Sequence, residues 1–131
     1  MSTAVSQDPP QFLAGKRVLL IEDEYYIADE VRRILVDLGA EVVGPVGTVG
    51  SAQAALDEGQ FDCALLDLNL HGESAVPIAE RLAAEGWSFA ISTGYGSATV
   101  PNELSTVPRI EKPFDPPALV QLLAQLSCVR T

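Results

Sequence analysis

Five side chains with useful chemistry lie at or just beyond the ends of short apolar runs. They are Glu22, Asp23, Asp67, Thr93 and Lys112. Neighbouring carboxylates repel one another and raise each other's pKa, and a hard divalent cation such as Mg²⁺ relieves that repulsion. A nearby lysine and hydroxyl would neutralise the oxygens of a transferring phosphoryl group, and a carboxylate facing that group would be its nucleophile.

The apolar runs alternate with helical patterns along the chain. The predicted strands cover residues 18–21, 41–43, 63–67, 89–93 and 107–111. Apolar spacing predicts helices over residues 27–38, 48–59, 77–86 and 115–126, the second capped by Thr48. Strands that are apolar on both faces are typical of a parallel sheet covered by helices, which binds ligands at the carboxyl ends of its strands. If the strands that carry the five side chains are neighbours, those side chains converge.

The segment between Gly94 and Pro108 interrupts this alternation. It contains Gly96 and Pro101 and has no good apolar stripe. Both residue types disfavour helix, so any helix between the last two strands, which would be the fourth helix of the fold in chain order, is expected to be short or irregular.

Composition limits the partners of the protein. The chain has 131 residues and a formal net charge of −10, which disfavours binding to nucleic acid and to anionic membranes. It shows no signal peptide and no apolar run long enough to span a bilayer, so we expect a cytoplasmic protein. We interpret the two cysteines, Cys63 and Cys128, as a buried small hydrophobe and a tail thiol, although the sequence does not exclude a disulfide.

One domain accounts for a chain of this length. Residues 1–14 are rich in small polar residues and proline and are predicted to form a flexible tail whose last part packs. Residues 15–128 are predicted to form the domain. Few residues follow the last helix, so no output domain is expected.

Four motifs in this order resemble the response-regulator receiver family of two-component signalling. They are Leu20-Ile21-Glu22-Asp23-Glu24, Leu65-Leu66-Asp67, Thr93-Gly94 and Lys112-Pro113-Phe114. Each motif is weak alone, but their order on successive strand ends, over roughly residues 16–127, is specific. The resemblance implies an α/β fold with a doubly wound, flavodoxin-like, five-stranded parallel sheet of strand order 2-1-3-4-5.

The resemblance also implies roles for the acidic residues. Asp67 would be the phospho-acceptor. Glu22 and Asp23 would hold Mg²⁺ together with Asp67, and the main-chain carbonyl of Asn69 would complete the metal site.

The remaining implied roles concern the phosphoryl group. Thr93 would form a hydrogen bond with it, and Lys112 would form an ion pair. The donor would be a sensor histidine kinase or a phosphotransfer protein. Output would pass to a downstream protein target or through a phosphorelay, so the chain would promote its own phosphorylation and dephosphorylation without being an enzyme for external substrates.

The stretch at 88–95 looks like a subgroup of single receiver domains with a Pro-Phe-x-Phe-Ala-Thr-Gly-Tyr motif. This chain departs from that motif at Ser88, Ile91 and Ser92. Many receivers also carry an aromatic switch residue three positions before the lysine, where this chain has Arg109. A charged guanidinium is costly to bury, so we expect Arg109 to stay outside, with Tyr95 as a candidate substitute for the switch.

Four alternative interpretations remain open at this point. The acidic run at 22–24 could merely begin a helix, and Asp67 could merely begin a turn. The domain could be a receiver-like interaction module that is never phosphorylated. It could also be a metal-dependent phosphatase or nuclease, although no general-base histidine is evident.

Overall fold

Five parallel strands form the central sheet of the protein, whose computed structural model describes residues 11–94 and 100–126. They are β1 (Arg17–Ile21), β2 (Glu41–Val46), β3 (Cys63–Asp67), β6 (Ser88–Thr93) and β7 (Arg109–Glu111). Their order across the sheet is β2-β1-β3-β6-β7, which is order 2-1-3-4-5 among the five core strands. The doubly wound, flavodoxin-like sheet implied by the sequence is confirmed.

Four helices cover the two faces of this sheet. They are α1 (Tyr25–Asp37), α2 (Val49–Glu58), α3 (Val76–Ala84) and α4 (Pro116–Ala124). Helices α1 and α4 pack with Val18 and Leu20 of β1 in one buried cluster, and α2 and α3 pack with Leu19 and Ile21 in a second. Alternate residues of β1 therefore enter opposite cores, which explains why the strand is apolar throughout.

Local side chains set where two of the helices begin. Thr48 accepts a hydrogen bond from the Ser51 N–H, and the Ser51 hydroxyl accepts one from the Thr48 N–H, which makes a capping box for α2. Asp115 caps α4 by accepting a hydrogen bond from the Ala118 N–H. Both caps satisfy main-chain donors that the first helical turn would leave unpaired.

A short antiparallel hairpin is the feature that the sequence patterns did not predict. It follows β3 directly and consists of β4 (Asn69–Leu70) and β5 (Glu73–Ser74). Its two connecting residues, His71 and Gly72, have φ values of 54° and 82°. Two-residue strands are too short to show an alternating pattern, so only tertiary contacts reveal them.

The described residues between β6 and β7 agree with the expectation that a helix in this segment would be short or irregular. Its described part contains only a 3₁₀ turn at Asn102–Leu104, which is anchored by the fully buried Leu104. Residues 95–99, including Tyr95, lie outside the described residues. Arg109 is exposed, as predicted, and its guanidinium donates a hydrogen bond to the Ser105 carbonyl.

Leu13, in the last part of the predicted tail, is buried and its N–H donates to the Leu38 carbonyl, whereas residues 1–10 lie outside the described residues. Cys63 is fully buried, as expected, and it is disulfide-bonded, which is the alternative that the sequence left open. Cys128 lies outside the described residues.

Among the helices that the structure describes, none has the length and apolar character needed to cross a bilayer.

Candidate functional site

The register of the sheet brings the predicted site residues to one edge. Ile21 pairs with Leu66, so Glu22, the next residue after β1, is level with Asp67, the last residue of β3. The side-chain oxygens that Glu22, Asp23 and Asp67 offer all lie within 4.8 Å of one another. Parallel strands thus place carboxylates that are 44 and 45 residues apart in sequence into one cluster.

Lys112 reaches this cluster from the other side of β3. Its Nζ lies 2.7 Å from Asp67 Oδ2 and 2.8 Å from Glu22 Oε1. All three residues are at most 8% exposed. A buried ammonium between two buried carboxylates neutralises part of their charge, and this is the condition under which burial of such charges is tolerated.

The pKa values of Glu22 and Lys112 are both raised, but for different reasons. Desolvation of the buried carboxyl, reinforced by the negative charge of Asp67, raises the pKa of Glu22 from 4.5 to about 7, although the Lys112 hydrogen bond opposes the rise. Burial lowers the pKa of Lys112, but the hydrogen bonds and charges of Asp67 and Glu22 outweigh it and raise that pKa overall. The lysine is therefore charged at neutral pH, and the cluster still carries excess negative charge that a cation would relieve.

An open cavity of about 220 Å³ gives access to the cluster. It is lined by Asp23, Glu24, Asp67, Asn69, Gly94 and Lys112. Thr93 ends β6 beside this cavity, and its main-chain carbonyl accepts a hydrogen bond of 2.7 Å from the Lys112 N–H. The structure thus brings Thr93 to the correct edge of the sheet, while its neighbour Gly94 lines the cavity itself.

Two further residues contact the site, and the sequence patterns gave neither of them a role. The Glu24 carboxylate lies 3.5 Å from Lys112 Nζ and lines the cavity. The His71 N–H donates a 2.9 Å hydrogen bond to Asp23 Oδ2. Glu24 follows the acidic pair directly, which was an available signal, whereas the role of His71 depends on the hairpin.

The donor set at this edge suits Mg²⁺. Carboxylate and carbonyl oxygens are the ligands that this cation prefers, and it usually keeps several waters, which an open cavity accommodates. Glu22, Asp23 and Asp67 would hold the ion through carboxylate oxygens, and Asn69, which lines the same cavity, is the candidate for a main-chain ligand. The excess negative charge of the cluster is the observation that favours this fit.

Mg²⁺ is expected to stabilise the folded protein, and Asp23→Asn is expected to reduce this effect. Binding to the folded state alone at a concentration of about 100 times Kd adds about 2.7 kcal/mol to the free energy of unfolding. Loss of one charged ligand should weaken affinity roughly tenfold and remove about 1.4 kcal/mol of that gain. Melting temperatures with and without MgCl₂ measure the effect.

Asp37→Asn is the matched control, because Asp37 is exposed at the far end of α1. This variant should respond to Mg²⁺ as the wild type does. An identical shift for Asp23→Asn and wild type would show that the cluster is not the metal site.

Comparisons with known proteins agree with this architecture. No protein-family model and no curated protein sequence matches the chain. Among solved structures, SdrG from Sphingomonas melonis Fr1 is 36% identical, with a TM-score of 0.75, covering 83% of this chain and 93% of that chain. The BeF3-activated conformation of SdrG, from Pseudomonas melonis Fr1, is also 36% identical, with a TM-score of 0.70, covering 85% of this chain and 95% of that chain.

A third structure gives the family its description. The response regulator receiver domain protein (CheY-like) from Methanospirillum hungatei JF-1 is 26% identical, with a TM-score of 0.71. The match covers 84% of this chain and 91% of that chain. With the sheet order, the strand-end carboxylates and the identity to SdrG taken together, the chain belongs to the response regulator receiver (CheY-like) family.

Proposed function

We propose that the protein is a phosphorylation-switched signalling module whose phospho-acceptor is Asp67. One observation carries this proposal. Asp67 is 4% exposed, lines the cavity, lies 2.7 Å from the Lys112 ammonium and shares a cluster with two other carboxylates. A buried carboxylate that is accessible from one side, and is flanked by a cation and a metal-binding set, suits in-line attack on a phosphoryl group.

The proposed reaction moves one phosphoryl group from a histidine to Asp67. A carboxylate oxygen of Asp67 forms a bond to phosphorus, the bond between phosphorus and the donor imidazole nitrogen breaks, and that nitrogen is protonated as it leaves. Lys112 exchanges its ion pair with Asp67 for one with a phosphoryl oxygen. Bound Mg²⁺ would supply positive charge to the transferring oxygens.

Thr93 is proposed to assist after the transfer. Its position at the end of β6, one residue beyond the partner of Asp67 in the sheet, places it within the same strand-end group. We propose that its hydroxyl donates a hydrogen bond to the phosphoryl group, which would couple phosphorylation to the segment that follows Gly94. The existence of a BeF3-activated conformation of SdrG supports a switch of this kind, because beryllofluoride mimics an acyl phosphate.

The proposed partners follow from this chemistry. A sensor histidine kinase or a phosphotransfer protein would donate the phosphoryl group in the cytoplasm. Output would pass through contact with a downstream protein or through phosphorelay. The region that aligns with this chain makes up 93% of SdrG. The net charge of −10 disfavours nucleic acid and anionic membranes as partners.

Incubation with a small acyl phosphate, with and without Mg²⁺, tests the proposal. Intact-protein mass spectrometry should show a gain of one phosphoryl group only when Mg²⁺ is present. Absence of any gain, with Mg²⁺ and with a panel of phosphorylated histidine kinases, would favour an interaction module that is never phosphorylated. Sustained turnover of an external phosphoester would instead indicate a hydrolase.

A further inference from the structure

The hairpin after β3 links two carboxylates that belong to different strands. The Asn69 N–H donates a 2.9 Å hydrogen bond to Asp67 Oδ1, and the His71 N–H donates a 2.9 Å hydrogen bond to Asp23 Oδ2. The Asn69 side-chain oxygen accepts a hydrogen bond of 2.8 Å from the Gly72 N–H, across the hairpin turn. One four-residue stretch therefore holds an oxygen of each aspartate.

The backbone conformation at His71 makes the second of these contacts possible. His71 and Gly72 both have positive φ, as the central residues of a two-residue hairpin turn of the primed type require. Glycine adopts this conformation readily, and Asn, Asp and His adopt it more often than other residues, whereas for β-branched residues it is strongly disfavoured. In this conformation the His71 N–H points at Asp23 and donates its hydrogen bond to Oδ2.

The imidazole of His71 is less well placed than its main-chain N–H to bind the Asp23 carboxylate. The His71 side chain is 65% exposed, and Nδ1 lies 3.6 Å from Asp23 Oδ2, beyond ordinary hydrogen-bond length. The main-chain contact to the same oxygen is 0.7 Å shorter. The contact that can fix the orientation of Asp23 is therefore the one that the turn supplies.

We propose that His71 is a positioning residue, whose main-chain N–H holds Asp23 Oδ2 and so presents the other Asp23 oxygen to the metal ion. This inference rests on the proposed function and deepens it, since it names what orients one metal ligand. A carboxylate held in one orientation loses less conformational freedom when it binds a cation, so the turn raises Mg²⁺ affinity. Asn69 holds Asp67 in the same manner from the other end of the hairpin.

Substitutions at His71 separate the main chain from the imidazole. His71→Asn and His71→Gly remove the ring but favour positive φ, whereas His71→Val disfavours it. Isothermal titration calorimetry with MgCl₂ alone should give an affinity within about twofold of wild type for His71→Asn and His71→Gly. It should give a roughly tenfold weaker affinity for His71→Val. The Mg²⁺ concentration for half-maximal phosphorylation should rise in His71→Val, while the rate at saturating Mg²⁺ stays unchanged.

A second variant keeps the test decisive if His71→Val does not fold. A methyl group added at Gly72 meets nothing within 4 Å, so Gly72→Ala perturbs only the backbone of the turn. It should also weaken Mg²⁺ binding. Melting temperatures without Mg²⁺ report whether each variant is folded.

Two results would overturn the positioning role while leaving the proposed function intact. In one, Asn and Gly weaken Mg²⁺ binding as much as Val, which would assign the effect to the imidazole. In the other, wild type binds Mg²⁺ and folded variants with a strained turn bind it equally well. Failure of the wild type itself to bind Mg²⁺ would overturn both the positioning role and the proposed metal site.

Discussion

Asp67→Asn is expected to abolish Mg²⁺-dependent phosphorylation and to leave the fold intact. An amide of the same shape cannot act as the anionic nucleophile. The substitution removes one partner of the Lys112 ammonium, but Lys112 keeps its 2.8 Å ion pair with Glu22 and the repulsion within the carboxylate cluster falls, so the melting temperature should change little. Intact-protein mass spectrometry after acyl-phosphate treatment should show complete loss of the phosphoryl mass gain.

Asp37→Asn again provides the control, since that exposed carboxylate lies at the opposite end of α1 from the site. It should take up phosphate as the wild type does. An equal mass gain in Asp67→Asn would transfer the acceptor role to another residue and reject the assignment.

Lys112→Met should cause the largest loss of stability among substitutions at the site. The change leaves the buried Glu22 and Asp67 carboxylates without their shared cation. Breaking a buried pair in this way costs roughly 3–5 kcal/mol, and we expect about 3 kcal/mol because protonation of a carboxyl relieves part of the penalty. Phosphorylation should also fall sharply, since no ammonium would remain to pair with the phosphoryl oxygens.

The loss in Lys112→Met is expected to depend on pH. The pKa of Glu22 is about 7 in the wild type against 4.5 for the free group, so the folded state binds more protons than the unfolded state within that window. The contribution of Glu22 to the free energy of unfolding therefore decreases as pH rises from 4.5 to about 7. Removal of Lys112 raises this pKa further, which extends the decline to higher pH.

Urea unfolding at several pH values, with and without Mg²⁺, measures these effects. Lys16→Met is the matched control, because Lys16 is the other lysine of the chain and is partly exposed. Mg²⁺ should stabilise Lys112→Met more than wild type, since the cation would replace the missing charge. Equal stability of Lys112→Met and Lys16→Met at every pH would show that the buried ion pair does not hold the site together.

The sequence by itself determined the order of the five central strands and the four helices along the chain, and it identified the residues of the site except Glu24 and His71. Apolar runs of four or five residues identified β1 and β3 because both faces of these strands are covered, and helical spacing identified the four helices. The carboxyl ends of parallel strands lie at one edge of their sheet, so Asp67 and Lys112 were expected at that edge from their positions at strand ends, with the strand order implied by the family resemblance. These features depend on local periodicity and on a few topological rules, and both can be read along the chain.

Only the tertiary structure decided how the site residues contact one another. The pairing of Lys112 with both Glu22 and Asp67 joins residues 90 and 45 positions apart, and the raised pKa of Glu22 follows from burial that no local pattern encodes. The hairpin is decided in the same way. Its strands are two residues long, and the positive φ at His71 accompanies a hydrogen bond to Asp23, 48 residues away. Contacts of this kind are set by the packing of the whole sheet edge, so they appear only once the chain is folded.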